Sequence, residues 1–186
     1  MTVAEDYVLS LPNTKAKFYD TMGWLLIIIH VTAFSTLAYY VSNPTQRWYA
    51  LLGILLIAIP LIFEFIFRKP LQKSTAIQSA LTSGSLVWVL FLHYYTIGFI
   101  SLALVLFYYI ARRDLKVLIN KERIEYPSFP PKKIKWADLN NIILKDGLLT
   151  IDFKNNKIIQ QLIDENNPID ETGFNLYCRE QLAAVK

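Results

Sequence analysis

Two apolar runs of 20 residues, Met22–Val41 (MGWLLIIIHVTAFSTLAYYV) and Trp48–Phe67 (WYALLGILLIAIPLIFEFIF), dominate the first third of the chain. At about 1.5 Å per helical residue each reaches about 30 Å, the thickness of a bilayer's hydrocarbon core. Ser42-Asn43-Pro44-Thr45-Gln46-Arg47 joins them with the Asn-Pro signal of a turn. Tyr39, Tyr40, Trp48 and Tyr49 flank that turn, as amphipathic rings do at the headgroup layer.

The stretch 74–111 has two readings. Ser85–Ile110 forms one long span, or Ser74–Leu92 and Tyr95–Ala111 form a hairpin turning at His93-Tyr94. Basic residues separate the two, because Lys and Arg collect on the cytoplasmic side. Three spans put Lys15, Lys17, Arg68, Lys69 and Lys73 on one side and Arg47, Arg112, Arg113 and Lys116 on the other, five against four. Four spans put eight of these nine together and leave only Arg47 opposite. The expectation is therefore a membrane α-helical bundle of four transmembrane helices over 22–111, with both termini cytoplasmic in an inner (cytoplasmic) membrane. Residues 1–21 form a cytoplasmic or interfacial lead-in. Glu5 and Asp6 stand where a cleavable signal would be basic, Asn13 or Thr14 is placed to cap a helical start, and Val8, Leu9 and Leu11 are expected at the interface.

The third helix is the least apolar, but Ala76, Ala80 and Gly84 recur at the small-xxx-small spacing that lets helix backbones approach, and Ser79 and Ser83 extend that surface. It packs inside its own bundle, faces a partner subunit, or lines a polar path. Two ionisable residues fall inside the spans, and such residues are functional hypotheses by default. Glu64 lies near the cytoplasmic end of helix 2, with Arg68 four residues on, so a Glu–Arg pair at the interface is expected. His30 lies about 12 Å deep in helix 1, too far from Glu64's depth for a direct proton relay. A neutral His30 bonded to a neighbouring hydroxyl is the expectation, and Pro60 is expected to kink helix 2.

After Arg112-Arg113 the period changes to two. Leu115, Val117 and Ile119 alternate, followed by Ile124–Tyr126, Lys133–Trp136, Leu139–Lys145, Leu148–Phe153 and Lys157–Ile163. Asp146-Gly147 is a strong hairpin signal. Asp170 can cap a last helix running to about Ala184, whose stripe Phe174, Cys178, Leu182 would close the sheet and make Cys178 a core residue.

Lys135-Trp136-Ala137-Asp138-Leu139, the hairpin KDGLLTIDFK and the closing helix resemble the bacterial pleckstrin-homology-like (PH-like) domains attached to membrane spans. The whole chain is similar to small membrane proteins of Bacteroidetes-type bacteria that carry such a tail after four helices. The resemblance implies a small α+β domain over 112–186, a partly open barrel or curled sheet of antiparallel strands closed by a C-terminal helix. It brings no activity with it. The phosphoinositide role of eukaryotic relatives does not carry over, since the first turn, Asn120-Lys121-Glu122-Arg123, has cancelling charges.

Composition narrows the function. Apolar residues make up 54% of the 186 and charged residues 18%, which excludes disorder. The net charge of +4 lies wholly in 1–113, with eight Lys/Arg against four Asp/Glu; 114–186 carry eleven of each, which argues against nucleic-acid binding. One cysteine and two histidines build no Cys/His metal site, and no phosphate loop or catalytic set appears, so no catalytic residue and no cofactor is expected. The leading expectation is a non-enzymatic inner-membrane protein that presents a PH-like module for protein interaction or assembly, as an accessory subunit of a larger complex. The partners are membrane lipid and a second protein or second copy. A transporter or channel component using His30 and Glu64 is one alternative. An anionic-lipid sensor using Arg112, Arg113, Lys132, Lys133 and Lys135 is the other, set against lysines that merely guard a strand edge.

Overall fold

The computed structural model describes residues 6–67, 73–164 and 169–185. They fall into two units, one of residues 14–113 and one that joins 6–13 to the residues from 114 onward.

The first unit is helical: α1 (Ala16–Tyr40), α2 (Pro44–Phe67), α3 (Lys73–Leu90) and α4 (Tyr95–Arg112). Among the described residues α1, α2 and α4 are long and apolar enough to cross a membrane, whereas α3 is a shorter apolar helix. The stretch 74–111 forms two helices rather than one long one, and the chain turns at His93, whose φ is 60°. The helix α1 absorbs the end of the lead-in and starts after Lys15, whose own side chain makes no capping bond. Its buried face (Gly23, Ile27, His30, Phe34) packs into the bundle, and that packing is the main source of its order.

α3 owes its polar composition to its position, since it packs against α1, α2 and α4 and spends its surface on other helices. Phe34 of α1 stacks on Trp88 of α3 with centroids 4.5 Å apart. Gly53 of α2 admits that ring, because a Cβ there would stand 2.8 Å from it. The outside is apolar: Ile28, Ile29, Leu55, Phe65 and Phe107 are all more than half exposed. Such a belt suits hydrocarbon as solvent.

The second unit has two antiparallel sheets. One has the order β1 (Tyr7–Leu11), β2 (Leu115–Ile119), β3 (Arg123–Tyr126), β4 (Lys132–Lys135), and the other β5 (Leu139–Lys145), β6 (Leu148–Phe153), β7 (Ile158–Leu162). A single 3₁₀ turn, Trp136–Asp138, links them where an extended Trp136 was expected. The β5–β6 turn is the expected Asp146-Gly147, with φ values of 50° and 72°. The two sheets share one core with Phe174 and Cys178 of α5 (Glu171–Ala184), and Asp170 caps α5 by accepting from the Thr172 N–H at 3.1 Å. Asn175 of α5 bonds both backbone groups of Leu144 on the β5 edge at 2.8 Å, and the Glu171 carboxylate accepts from the Gly147 N–H at 2.9 Å.

The strand β1 departs from the expectation for the N-terminal lead-in. It lies beside β2 from Tyr7↔Ile119 to Leu11↔Leu115, and Leu9 is wholly buried in the β core rather than at a lipid interface. The Tyr177 hydroxyl donates to Asp6 Oδ2 at 2.6 Å and fastens the start of β1 to α5; burial and then Asp6 raise the Tyr177 pKa.

The lone Cys178 gives a direct readout of this arrangement. Replacing Leu9 with Ala should cost about 3 kcal/mol and speed maleimide labelling of Cys178 in the detergent-solubilised protein roughly a hundredfold. The exposed Leu176→Ala should leave the rate unchanged. An unaltered rate in Leu9→Ala would show that β1 stands outside the cooperative core.

Candidate functional site

Pro60 sits inside α2, and a proline there leaves the carbonyl four residues earlier without its helical donor. That carbonyl belongs to Leu56, and the Ser83 hydroxyl of α3 donates to it at 3.0 Å, shared with the Ala80 carbonyl at 3.0 Å. In hydrocarbon a serine reaching across is one of the few ways to satisfy a freed backbone group. The small residues around Ser83 serve the same junction. Ala76, Ala80 and Gly84 are buried within the bundle, and a Cβ on Gly84 would stand 2.9 Å from Ile57 and 3.3 Å from the His30 ring. The stripe is therefore an internal packing face; Ser79 alone of the five is exposed.

His30 is 6% exposed and bonds, through Nδ1, not a neighbouring hydroxyl but the Leu26 carbonyl of its own helix, at 2.8 Å. A bond to a carbonyl requires the proton on Nδ1, and the other ring nitrogen, Nε2, is buried with no hydrogen-bond partner. Glu64 lines a separate groove of about 230 Å³ between α2 and α3, with Pro60, Thr75, Ala76 and Ser79. His30 meets α3 at Gly84, while Glu64 meets it five to nine residues earlier, about 7–13 Å along the axis. The two do not form one site. Arg68, the expected partner of Glu64, lies outside the described residues.

The bundle also holds a polar group that the sequence did not single out. Asp20 of α1 accepts from the Tyr108 hydroxyl at 3.1 Å and stands 2.8 Å from Arg112 Nε, which joins the start of α1 to the end of α4. Arg112 is thus ion-paired rather than a loose member of a basic cluster. The only available signal was an acid before one span and an arginine after another, 92 positions apart in the sequence.

On the β unit, Lys132 Nζ lies 4.7 Å over the Phe153 ring, a cation–π contact. Lys132 and Lys133 line a recess of about 300 Å³, and Lys133 and Lys135 an adjoining one of about 420 Å³. The five-residue basic cluster expected from the sequence divides accordingly: Arg112 and Arg113 belong to the helical unit and the three lysines to the β unit. Cys178 is fully buried, and burial pushes its thiol up to about 12, so it presents no thiolate at neutral pH. Among the described residues no group of three His, Cys, Asp or Glu could hold a metal ion. No family model, curated protein or solved structure matches this chain.

The serine–carbonyl junction predicts a coupled pair of substitutions. Ser83→Ala should lower stability in detergent by about 1 kcal/mol. In a Pro60→Ala background, where residue 60 regains its N–H, the same change should cost close to nothing. Equal costs in both backgrounds, measured by denaturant titration, would show that Ser83 does not serve the freed carbonyl.

Proposed function

We propose that the chain is a non-enzymatic inner-membrane protein that crosses the bilayer four times and holds a PH-like unit on the cytoplasmic side for docking of a protein partner within a larger assembly. The observation that carries this reading is the pairing of β1 with β2. The strands precede and follow the four helices, and Leu11 lies opposite Leu115. Two strands pair only on one side of a membrane, so the chain between them crosses an even number of times. That parity favours four crossings over three, with α3 as a span beside α1, α2 and α4. The Asp20–Arg112 ion pair supports the same arrangement from within the bundle. The lysine and arginine distribution supports the cytoplasm as that side.

Two antiparallel sheets closed by a C-terminal helix support the PH-like reading of the β unit. Docking is assigned to this unit because the small-residue stripe of α3 is already occupied by the bundle. On the β unit, β4 carries lysines and the edge of β5 is met by Asn175, whereas β7 presents Ile158 and Leu162 outward, 62% and 59% exposed. An edge strand with apolar side chains outward is a natural docking element.

Two measurements test the reading. A topology reporter inserted at Tyr94 should read periplasmic and one fused after Val185 cytoplasmic; a cytoplasmic Tyr94 would overturn the four-span topology. In mild detergent the native protein should run as a particle larger than one chain. The Ile158→Glu/Leu162→Glu double variant should reduce it to a monomer while Cys178 stays protected. A wild-type protein that is already monomeric would sink the docking role.

A further inference from the structure

We infer that β7 pairs edge to edge with β7 of a second copy of this chain, antiparallel and centred on Gln160. The pairing rests on the docking role of β7 and names its partner. Within the β unit, β6 occupies one side of β7, in the register Leu148↔Leu162, Thr150↔Gln160 and Asp152↔Ile158. The flanking bonds fix which way the backbone groups point. The Phe153 N–H donates to the Lys157 carbonyl at 2.9 Å and the Ile163 N–H to the Gly147 carbonyl at 2.9 Å, so the odd-numbered positions turn toward β6. Backbone groups alternate sides along a strand, which turns those of Ile158, Gln160 and Leu162 to the open side. Among the described residues no strand pairs with β7 there. The opening ends at Asp164, whose N–H donates to the Ser10 carbonyl of β1 at 2.8 Å. Such a row of open N–H and C=O groups is a template for another strand.

What this edge offers is complementary to itself. Outward positions face only outward positions across a new ladder, so the partner's facing residues come from the same three. The antiparallel register that uses all of them sets Ile158 opposite the partner's Leu162, Gln160 opposite the partner's Gln160, and Leu162 opposite the partner's Ile158. Each facing pair exchanges both N–H···O bonds, and two three-stranded sheets become one continuous sheet. Ile158, Gln160 and Leu162 also share the exposed face of the sheet. The pairing therefore covers apolar surface with apolar surface at both ends and sets amide beside amide in the middle. Charge agrees with this orientation. Lys157 precedes the strand and Asp164 follows it, so an antiparallel copy brings Lys157 toward the partner's Asp164. A parallel copy would place Lys157 beside the partner's Lys157 and turn the exposed faces to opposite sides. A twofold pairing uses each edge once and stops at two chains.

The test places single cysteines in the full-length protein in mild detergent and applies a short bifunctional thiol reagent, an ethane-linked bis-methanethiosulfonate. Gln160→Cys should form a covalent dimer, because the two copies of residue 160 face each other at about 5.5 Å between Cα atoms. Ile158→Cys and Leu162→Cys, each alone, should crosslink at least tenfold less, since like residues then stand roughly 14 Å apart along the strands. Co-expressed under different tags, those two variants should crosslink to each other as well as Gln160→Cys does to itself. Wild-type protein, whose Cys178 is fully buried, should give no covalent dimer. Comparable self-crosslinking at all three positions would overturn the pairing. A Gln160→Cys protein that stays uncrosslinked, in a particle that Ile158→Glu/Leu162→Glu dissociates, would overturn the second copy and leave the docking role standing with a different protein on β7. A monomeric wild-type protein would end both.

Discussion

The pairing of β1 with β2 is the constraint from which the organisation of the chain follows. Ten backbone positions, Tyr7–Leu11 and Leu115–Ile119, lie in one antiparallel ladder although the whole helical unit separates them in sequence. The helical unit is in effect an insertion into a β unit. Its two ends are tied together, and on the proposed membrane topology the number of crossings acquires a parity that hydropathy alone does not supply. Without β1 the four-stranded sheet would lose Leu9 and Leu11 from its core, and the remainder would hang from a single linker.

Within the bundle the organising problem is the opposite of that in the β unit. Its outer surface is apolar and suited to hydrocarbon, so specificity falls to the few polar atoms that must be satisfied inside. Pro60 frees a carbonyl, Ser83 answers it, and the small residues on either side of Ser83 let the two helices come close enough for the bond. Asp20, Tyr108 and Arg112 do the same for the first and last helices. Two buried nitrogens among the described residues fall short of a hydrogen bond: Arg112 Nε, which has the Asp20 carboxylate 2.8 Å away as an ion pair, and His30 Nε2.

Much of this was legible in the sequence because it is encoded locally. The strands β2 to β7 follow a period of two, the Asp146-Gly147 turn announces its hairpin, and Asp170 with the Phe174–Cys178–Leu182 stripe announces α5. What escaped depends on distant partners. YVLSL is a five-residue segment whose alternation means little until β2 is beside it. Serines on α3 read as weak hydropathy, since the carbonyl that Ser83 satisfies lies 27 residues away. The three β4 lysines were visible as a run, but Lys121, Arg123 and Lys154 join them only through the register of β3 and the turn after β6. Arg112 looked like a companion of those lysines, and only the fold reveals its tie to Asp20.

The split β unit also has a consequence for biogenesis. Ribosomes complete β1 first, and its partner emerges about 100 residues later, which at 5–20 residues per second is a wait of roughly 5–20 s. During that interval the first strand has no ladder to join. On the proposed topology it can close the sheet only after the last helix has been inserted and β2 has been delivered to the same compartment. A chain that skips a helix would then deliver β2 to the wrong compartment and never complete its β unit. On that topology, folding of the β unit would act as a proofreading step for membrane insertion, and a misinserted chain would display an unfinished sheet.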